Sequence, residues 1–313
     1  MIKSWQTNYR EARLVMKTYN PTVDDTVVRS NSVQINGFNI FYREAGNNNS
    51  PKIIFYHGFP GSSAYYRNIM ATLADTFHVI APDFLGFGNS DKPDPAEHAY
   101  SFDNTAAMMM QFQEKVNFTR AGMYLQDYGG PVGFRIIEKH PEWLEWLILQ
   151  NTNAFEEGFT EAWNGLRGAY WVNKTPETEA PLRAFLLPDT VKTLYQHGHP
   201  DPARVSPDAW QNDIFHLQHK HAERIQLDFF YDYRKNVESY ESIQKMLKGM
   251  QPKTQIFWGD GDIFFTPKGG ELYLTLLPKA DFHWLKSGHF AIEDCGNYIA
   301  AEMKGFYAKN VAR

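Results

Sequence analysis

The run Tyr124-Leu125-Gln126-Asp127-Tyr128-Gly129-Gly130-Pro131 sets a carboxylate between a strand-like and a helical segment, with two glycines just beyond it. A sharp strand-turn-helix lifts one side chain above a sheet at the N-terminus of the next helix, and small residues past the turn let strand and helix approach. A carboxylate in that place can attack saturated carbon. The simpler alternative is an Asp that only caps the following helix. Three more segments weigh against it. His57-Gly58-Phe59-Pro60-Gly61 follows an apolar run, and the backbone N–H groups of Phe59 and Tyr128 can meet a developing oxyanion. Gly and Pro also make plain turns. Asp262, in Trp258-Gly259-Asp260-Gly261-Asp262, and His289, in Ser287-Gly288-His289-Phe290, each follow another strand-like run.

These residues need a sheet to hold them. Short apolar runs at 52–56, 77–81, 121–126, 144–149, 255–259 and 281–285 predict strands, and a hairpin at 32–35 and 39–43 turns on Asn36-Gly37. Helical patterning fills 64–74, 101–116 and 129–140, then resumes from Pro267 and Ile292. Strand and helix in alternation predict a mostly parallel sheet with helices on both faces. The rhythm stops at Asn151, and 153–250 shows only helical patterning rich in aromatics and prolines. We therefore expect an α/β core made of 1–152 and 251–313 and a helical cap at 153–250, a size typical of a small domain or lid. Residues 1–30 read as a polar extension with no assigned role.

Composition narrows the function classes. The 313 residues carry 31 basic and 36 acidic side chains, a net charge of −5, which argues against nucleic acid or an anionic membrane surface as partner. No apolar run is long enough for a membrane span, and the first twenty residues lack the pattern of a secretory signal. Cys295 is alone, so it has no internal disulfide partner and offers no cysteine-built metal site; a reducing, cytoplasmic setting suits it. Aromatic residues at 15% suit an apolar ligand pocket as well as a core.

With nucleophile, acid and histidine in that chain order, the sequence resembles the α/β-hydrolase superfamily, in the branch of epoxide hydrolases and haloalkane dehalogenases, over roughly 33–306. The segment Asp83-Phe84-Leu85-Gly86-Phe87-Gly88-Asn89-Ser90 is similar to a turn-building loop of that family. The resemblance implies Asp127 as nucleophile, His289 as base and Asp262 as its orienting acid, with no cofactor. Leu125 stands where the commoner motif has glycine. Asp127 would form an alkyl ester, and His289 would activate water against the ester carbonyl, with the N–H groups of Phe59 and Tyr128 holding the oxyanion.

The leaving group divides the branch. Dehalogenases usually hold the halide with a Trp beside the nucleophile and a second Trp or Asn, and this chain has Tyr128 and Phe59 in the equivalent places; Trp163 or Trp171 could substitute. Fluoroacetate dehalogenases place arginines after the nucleophile, and 128–133 has none. Epoxide hydrolases take a proton from paired cap tyrosines, and Tyr231-Asp232-Tyr233-Arg234-Lys235-Asn236 resembles a segment carrying one, which points to Tyr233, with Tyr170 as candidate for the second. The resemblance favours opening of epoxides to diols, then dehalogenation, then ester or C–C hydrolysis; a non-catalytic receptor on the same fold is the rival from another class. The expected partner is a small apolar organic substrate, and a homodimer is compatible with the sequence.

Other motifs carry less. His216 and His219 could share a helix face, but no carboxylate is spaced to complete a metal set with them and His221. Asp260-Gly261-Asp262 opens like a calcium loop that Phe264 and Phe265 then break. Gly86-Phe87-Gly88 lacks the third glycine of a dinucleotide site, and Met108-Met109-Met110 reads as core helix.

Overall fold

Asn36 and Gly37, both at positive φ, close a tight hairpin between β1 (Arg29–Ile35) and β2 (Phe38–Ala45). In the computed structural model, which describes residues 26–312, β1 starts before the predicted 32. The ladder extends by backbone pairing from Ile35 opposite Phe38 to Arg29 opposite Glu44, and backbone pairing does not require the apolar alternation on which the prediction rested. Of the polar extension, residues 1–25 lie outside the described part.

Six strands follow: β3 (Lys52–Tyr56), β4 (His78–Pro82), β5 (Ala121–Gln126), β6 (Leu144–Gln150), β7 (Thr254–Gly259) and β8 (Asp281–Leu285). They form one sheet in the order β1-β2-β4-β3-β5-β6-β7-β8. Only the pairings of β2 are antiparallel; from β4 to β8 every pairing is parallel. β4, β5 and β7 are buried along their whole length, as strands covered on both faces must be. The covering helices are α1 (Arg67–Leu73), α2 (Phe102–Lys115) and α3 (Gly129–Lys139), with α10 (Pro267–Leu276) and α11 (Ile292–Phe306) after the insert. α1 packs on α11, and α2 packs on α3. Ser101 starts α2 by accepting the Asn104 N–H on its side chain. The predicted helix at 64–74 begins instead as a 3₁₀ turn, Ser63–Tyr66, because the Ser62 hydroxyl captures the Ala64 N–H.

Between β6 and β7 the described chain is helical, with α4 (Pro176–Glu179), α5 (Pro188–Gln196), α6 (Pro207–Leu217), α7 (Ala222–Asp232), α8 (Arg234–Glu238) and α9 (Tyr240–Met250). The start of this insert is tied to the loop after β7: Thr160 N donates to the Phe264 carbonyl at 3.2 Å, and the Thr160 hydroxyl to that of Ile263 at 2.6 Å. Among the described residues no helix is long and apolar enough to cross a membrane.

Candidate active site

The turn between β5 and α3 forces Asp127 to φ 48°, a conformation that Cβ sterics disfavour and that here raises its side chain above the strand ends. Its neighbours must then be small. A Cβ on Gly129 would lie 2.1 Å from the Tyr56 carbonyl oxygen, and one on Gly130 would lie 1.8 Å from the Thr152 hydroxyl, which itself donates to the Asp127 carbonyl at 2.8 Å. The carboxylate does not cap α3. Its Oδ1 accepts the Phe59 N–H at 2.7 Å, and the Tyr128 N–H also bonds it. The loop after β3 can approach so closely because a Cβ on Gly58 would meet Asp127 Oδ1 at 2.2 Å. His57 braces this loop: Nε2 accepts the Phe84 N–H at 3.0 Å, so the proton is on Nδ1, facing the Gly58 carbonyl at 3.1 Å. Burial pushes its pKa down to about 3, so it is neutral. Asp83 builds the next loop, accepting the N–H of Ser63 and of Asn89 at 2.7 Å each.

The loops after β7 and β8 bring Asp262 and His289 to the same spot. His289 Nδ1 is 2.8 Å from Asp262 Oδ2, and Nε2 is 3.7 Å from Asp127 Oδ2. Asp262 is held in turn, with Oδ1 accepting the Phe264 N–H at 2.6 Å and Oδ2 accepting Asn151 Nδ2 at 2.8 Å. Asn151 was not singled out in the sequence. It follows β6 at φ 40° and also accepts the Gly259 N–H at 2.9 Å, so it locks the end of β7 to the acid. An Asn directly after a strand, in a turn that tolerates left-handed backbone, was the available signal.

Burial opposes a charged imidazole at His289, but the Asp262 carboxylate, by charge and hydrogen bond, and the Asp127 carboxylate outweigh it and hold its pKa above the ordinary value. Burial pushes Asp127 up against the pull of His289 and of the two N–H groups. With Oδ1 bonded to the Phe59 N–H, Oδ2 is the oxygen nearer His289. Backbone N–H donors so placed can stabilise negative charge that develops on Oδ1.

Asp127 lines a small, mainly apolar cavity. Ala162, Trp163, Leu166, Phe185 and Phe230 of the insert form one side of it, and Phe59, Tyr128 and Phe264 of the core the other. Asp127 is the one charged group in its wall. Trp163 stands in the wall, but its indole N–H donates to the Phe264 carbonyl at 2.9 Å. Trp171 does not line this cavity; its N–H donates to the Phe230 carbonyl at 2.7 Å and its ring stacks on Tyr233 at 9°. Both indole donors are therefore committed to backbone.

Tyr170 also departs from its expected place. Its hydroxyl donates to Glu179 at 2.9 Å inside a cap network that includes Arg224, because the cap supplies a charged acceptor closer than the site does. Tyr233 stands directly behind the wall, its ring 4.6 Å from that of Trp163 and 6.0 Å from that of Tyr128. Its hydroxyl is buried and makes no well-formed hydrogen bond among the described residues; the Tyr240 hydroxyl beside it is a weak partner. Burial, then Tyr240 and Asp127, hold its pKa well above that of a free phenol. Tyr240, on which Asn153 Nδ2 donates at 3.4 Å, is a phenol the sequence reading passed over. No group of three His, Cys, Asp or Glu among the described residues is arranged to hold a metal ion.

Comparison with known proteins agrees with this fold. Residues 51–294 match the family model for the alpha/beta hydrolase fold. The chain is 33% identical over 294 residues to an uncharacterized hydrolase, YNR064C, of Saccharomyces cerevisiae, covering 92% of this chain and 100% of that one. It is 28% identical to a cis-3-alkyl-4-alkyloxetan-2-one decarboxylase of Shewanella oneidensis, covering 87% and 86%. A haloalkane dehalogenase of Bradyrhizobium diazoefficiens is 36% identical over 36% of each chain. The epoxide hydrolase CorEH has a similar solved structure, with TM-score 0.73 over 90% of this chain and 99% of that one at 18% identity. The chain belongs to the α/β-hydrolase fold family.

Proposed function

We propose that this α/β-hydrolase opens small apolar epoxides through a covalent ester on Asp127. The observation that carries the reading is the split role of one carboxylate in the wall of the apolar cavity: Oδ1 is pinned by the Phe59 N–H at 2.7 Å, and Oδ2 lies 3.7 Å from His289 Nε2. Oδ2 attacks an epoxide carbon, the C–O bond breaks, and the ring oxygen leaves still tethered to the substrate. It takes a proton, and the buried Tyr233 hydroxyl behind the wall is the candidate donor, with the Tyr128 phenol in the wall itself. An alkoxide is far more basic than a phenolate of pKa about 10, so a buried phenol can give that proton at neutral pH. His289 then takes a proton from water, the hydroxide adds to the Asp127 carbonyl carbon, and collapse releases the diol. A halide has weaker support, because both candidate indole donors are already bonded to backbone.

One observation favours a second reading. Neither Tyr233 nor Tyr170 stands in the cavity wall itself, where the phenol is that of Tyr128. A strained ring whose leaving group is a carboxylate needs no proton, and the oxetan-2-one named for the Shewanella oneidensis relative is such a ring. The test offers epoxides, oxetan-2-ones, haloalkanes and p-nitrophenyl esters to the wild type, Asp127→Ala and His289→Gln. On the epoxide reading, His289→Gln traps a mass adduct on the Asp127 peptide with epoxides, and one turnover in heavy-oxygen water labels that carboxylate. Tyr233→Phe then lowers epoxide turnover about a hundredfold. Turnover of oxetan-2-ones alone, indifferent to Tyr233→Phe, selects the second reading. An adduct elsewhere overturns both.

A further inference from the structure

Besides the Thr160 and Trp163 contacts, the cap packs on the loops that carry the acid–base pair through residues that do not line the cavity. Gly198, at φ 78°, lies in the loop after α5 and packs backbone to backbone on Gly261, so that a Cβ on Gly198 would come 2.1 Å from the Gly261 carbonyl oxygen. One residue earlier, the His197 carbonyl oxygen lies 1.9 Å from where a Cβ on Gly288 would stand. Gly261 immediately precedes Asp262, and Gly288 immediately precedes His289. The two core loops are themselves laced together, with Gly261 N donating to the Ser287 carbonyl at 3.0 Å. One residue later, His199 anchors the arrangement. Its Nδ1 is 3.0 Å from Asp294 Oδ2, in the first turn of α11, and 3.2 Å from the Ser287 hydroxyl. That hydroxyl donates its proton to Asp294 Oδ1 at 2.8 Å, so the His199 proton sits on Nδ1 and goes to the carboxylate. Both side chains of the His199–Asp294 pair are buried, at 0% and 6% exposure, so the contact is not a loose surface pair.

We infer that the cap segment His197-Gly198-His199 is a latch that seats the cap on both triad loops, and that His199, through Asp294 and Ser287, is a positioning residue for His289. The nucleophile does not share this support. Asp127 stands on the β5–α3 turn and is held by Phe59, Tyr128 and Thr152. The latch therefore governs the half-reaction that needs a well-placed base, hydrolysis of the ester, and leaves attack by Asp127 alone. This division rests on the covalent-ester reading; the positional claim does not.

The test uses His199→Ala and His199→Asn, with Ser287→Ala as a milder cut at the same bridge. Asn places an N–H donor where Nδ1 stands, so it keeps the bond to Asp294. Two quantities are read: the rates of ester formation and decay in single turnover by mass spectrometry, and the His289 imidazole pKa by NMR. In His199→Ala, ester decay falls about tenfold or more while formation stays within about twofold. The His289 pKa moves down toward its ordinary value as the bond to Asp262 loosens, and His199→Asn restores both quantities. Ser287→Ala follows His199→Ala in direction with a smaller effect. Equal loss in both steps, an unchanged His289 pKa, or no recovery in His199→Asn overturns the latch. If the wild type forms no ester with any substrate, the covalent reading falls and the His289 pKa alone decides the latch.

Discussion

At the scale of single residues the site is a set of charges placed where their protonation states serve the step to come. On the proposed ester mechanism, His289 must be neutral to take a proton from water. Its pKa is held above the ordinary value of 6.5, so the rate of ester hydrolysis should rise with pH as the imidazole loses its proton, with a midpoint governed by that raised value. One contribution vanishes during turnover: once Asp127 is esterified its negative charge is gone. The midpoint for ester hydrolysis should therefore lie below the His289 pKa measured by NMR in the free enzyme, and a midpoint equal to or above it would contradict the ester. Asp262→Asn should lower both values, because it removes the charge that contributes most to the rise. Gly58→Ala tests the geometry without touching a charge. Its Cβ would fall 2.2 Å from Asp127 Oδ1, so the carboxylate must leave the N–H pair. Activity should drop about a hundredfold or more in an otherwise folded protein, as circular dichroism and kcat would show together.

At the scale of elements, the decisive contact is the approach of α3 to β3. Gly129 passes so near the backbone of Tyr56 that any side chain forces the two apart, and a backbone oxygen cannot swing aside. Gly129→Ala should cost about 1–3 kcal/mol or more, as overpacking does, and lower Tm while moving Asp127 off its mark. This element was legible in the sequence. The glycine pair after Asp127, the capping Ser101 and the apolar runs beneath each loop are local signals, and strands and helices formed within a residue or two of them. Asn151 was less legible, because its task is to bond Asp262 and Gly259 from β6, across more than a hundred residues of insert. No local pattern reports a partner that far away.

At the scale of the whole molecule, cap and core meet along a seam that includes one buried acid. Asp213 of α6 accepts the Tyr195 hydroxyl of α5 and a bond from Asn212 at 3.2 Å, while Asn212 also reaches Ser62 of the core at 3.4 Å. Burial first of all pushes the Asp213 carboxyl up to about 7. A folded-state pKa above that of the unfolded chain gives stability that is complete below the unfolded pKa and is lost as pH rises through the folded one. Between about pH 4 and pH 7 the wild type should thus lose stability relative to Asp213→Asn, by at most about 4 kcal/mol. Thermal melts of both proteins across that window check it; parallel curves would count against a neutral, buried Asp213.

The sequence by itself determined the alternation of strands and helices, the helical interruption, and the chain order of a carboxylate, an acid and a histidine, each on a loop after a strand. Those are properties of short segments, set by apolar periodicity and by glycines that sterics require at fixed offsets. Which polar atoms remain free to act was decided only by tertiary structure. Trp163 gives its N–H to Phe264, 101 residues away, Trp171 gives its own to Phe230, and Tyr170 is drawn to Glu179, while the equally buried Tyr233 hydroxyl meets only the weak, distorted interaction with Tyr240. The reason is that a buried polar group must take whatever partner the packing brings within about 3 Å, and that partner belongs to the three-dimensional arrangement rather than to the neighbouring sequence.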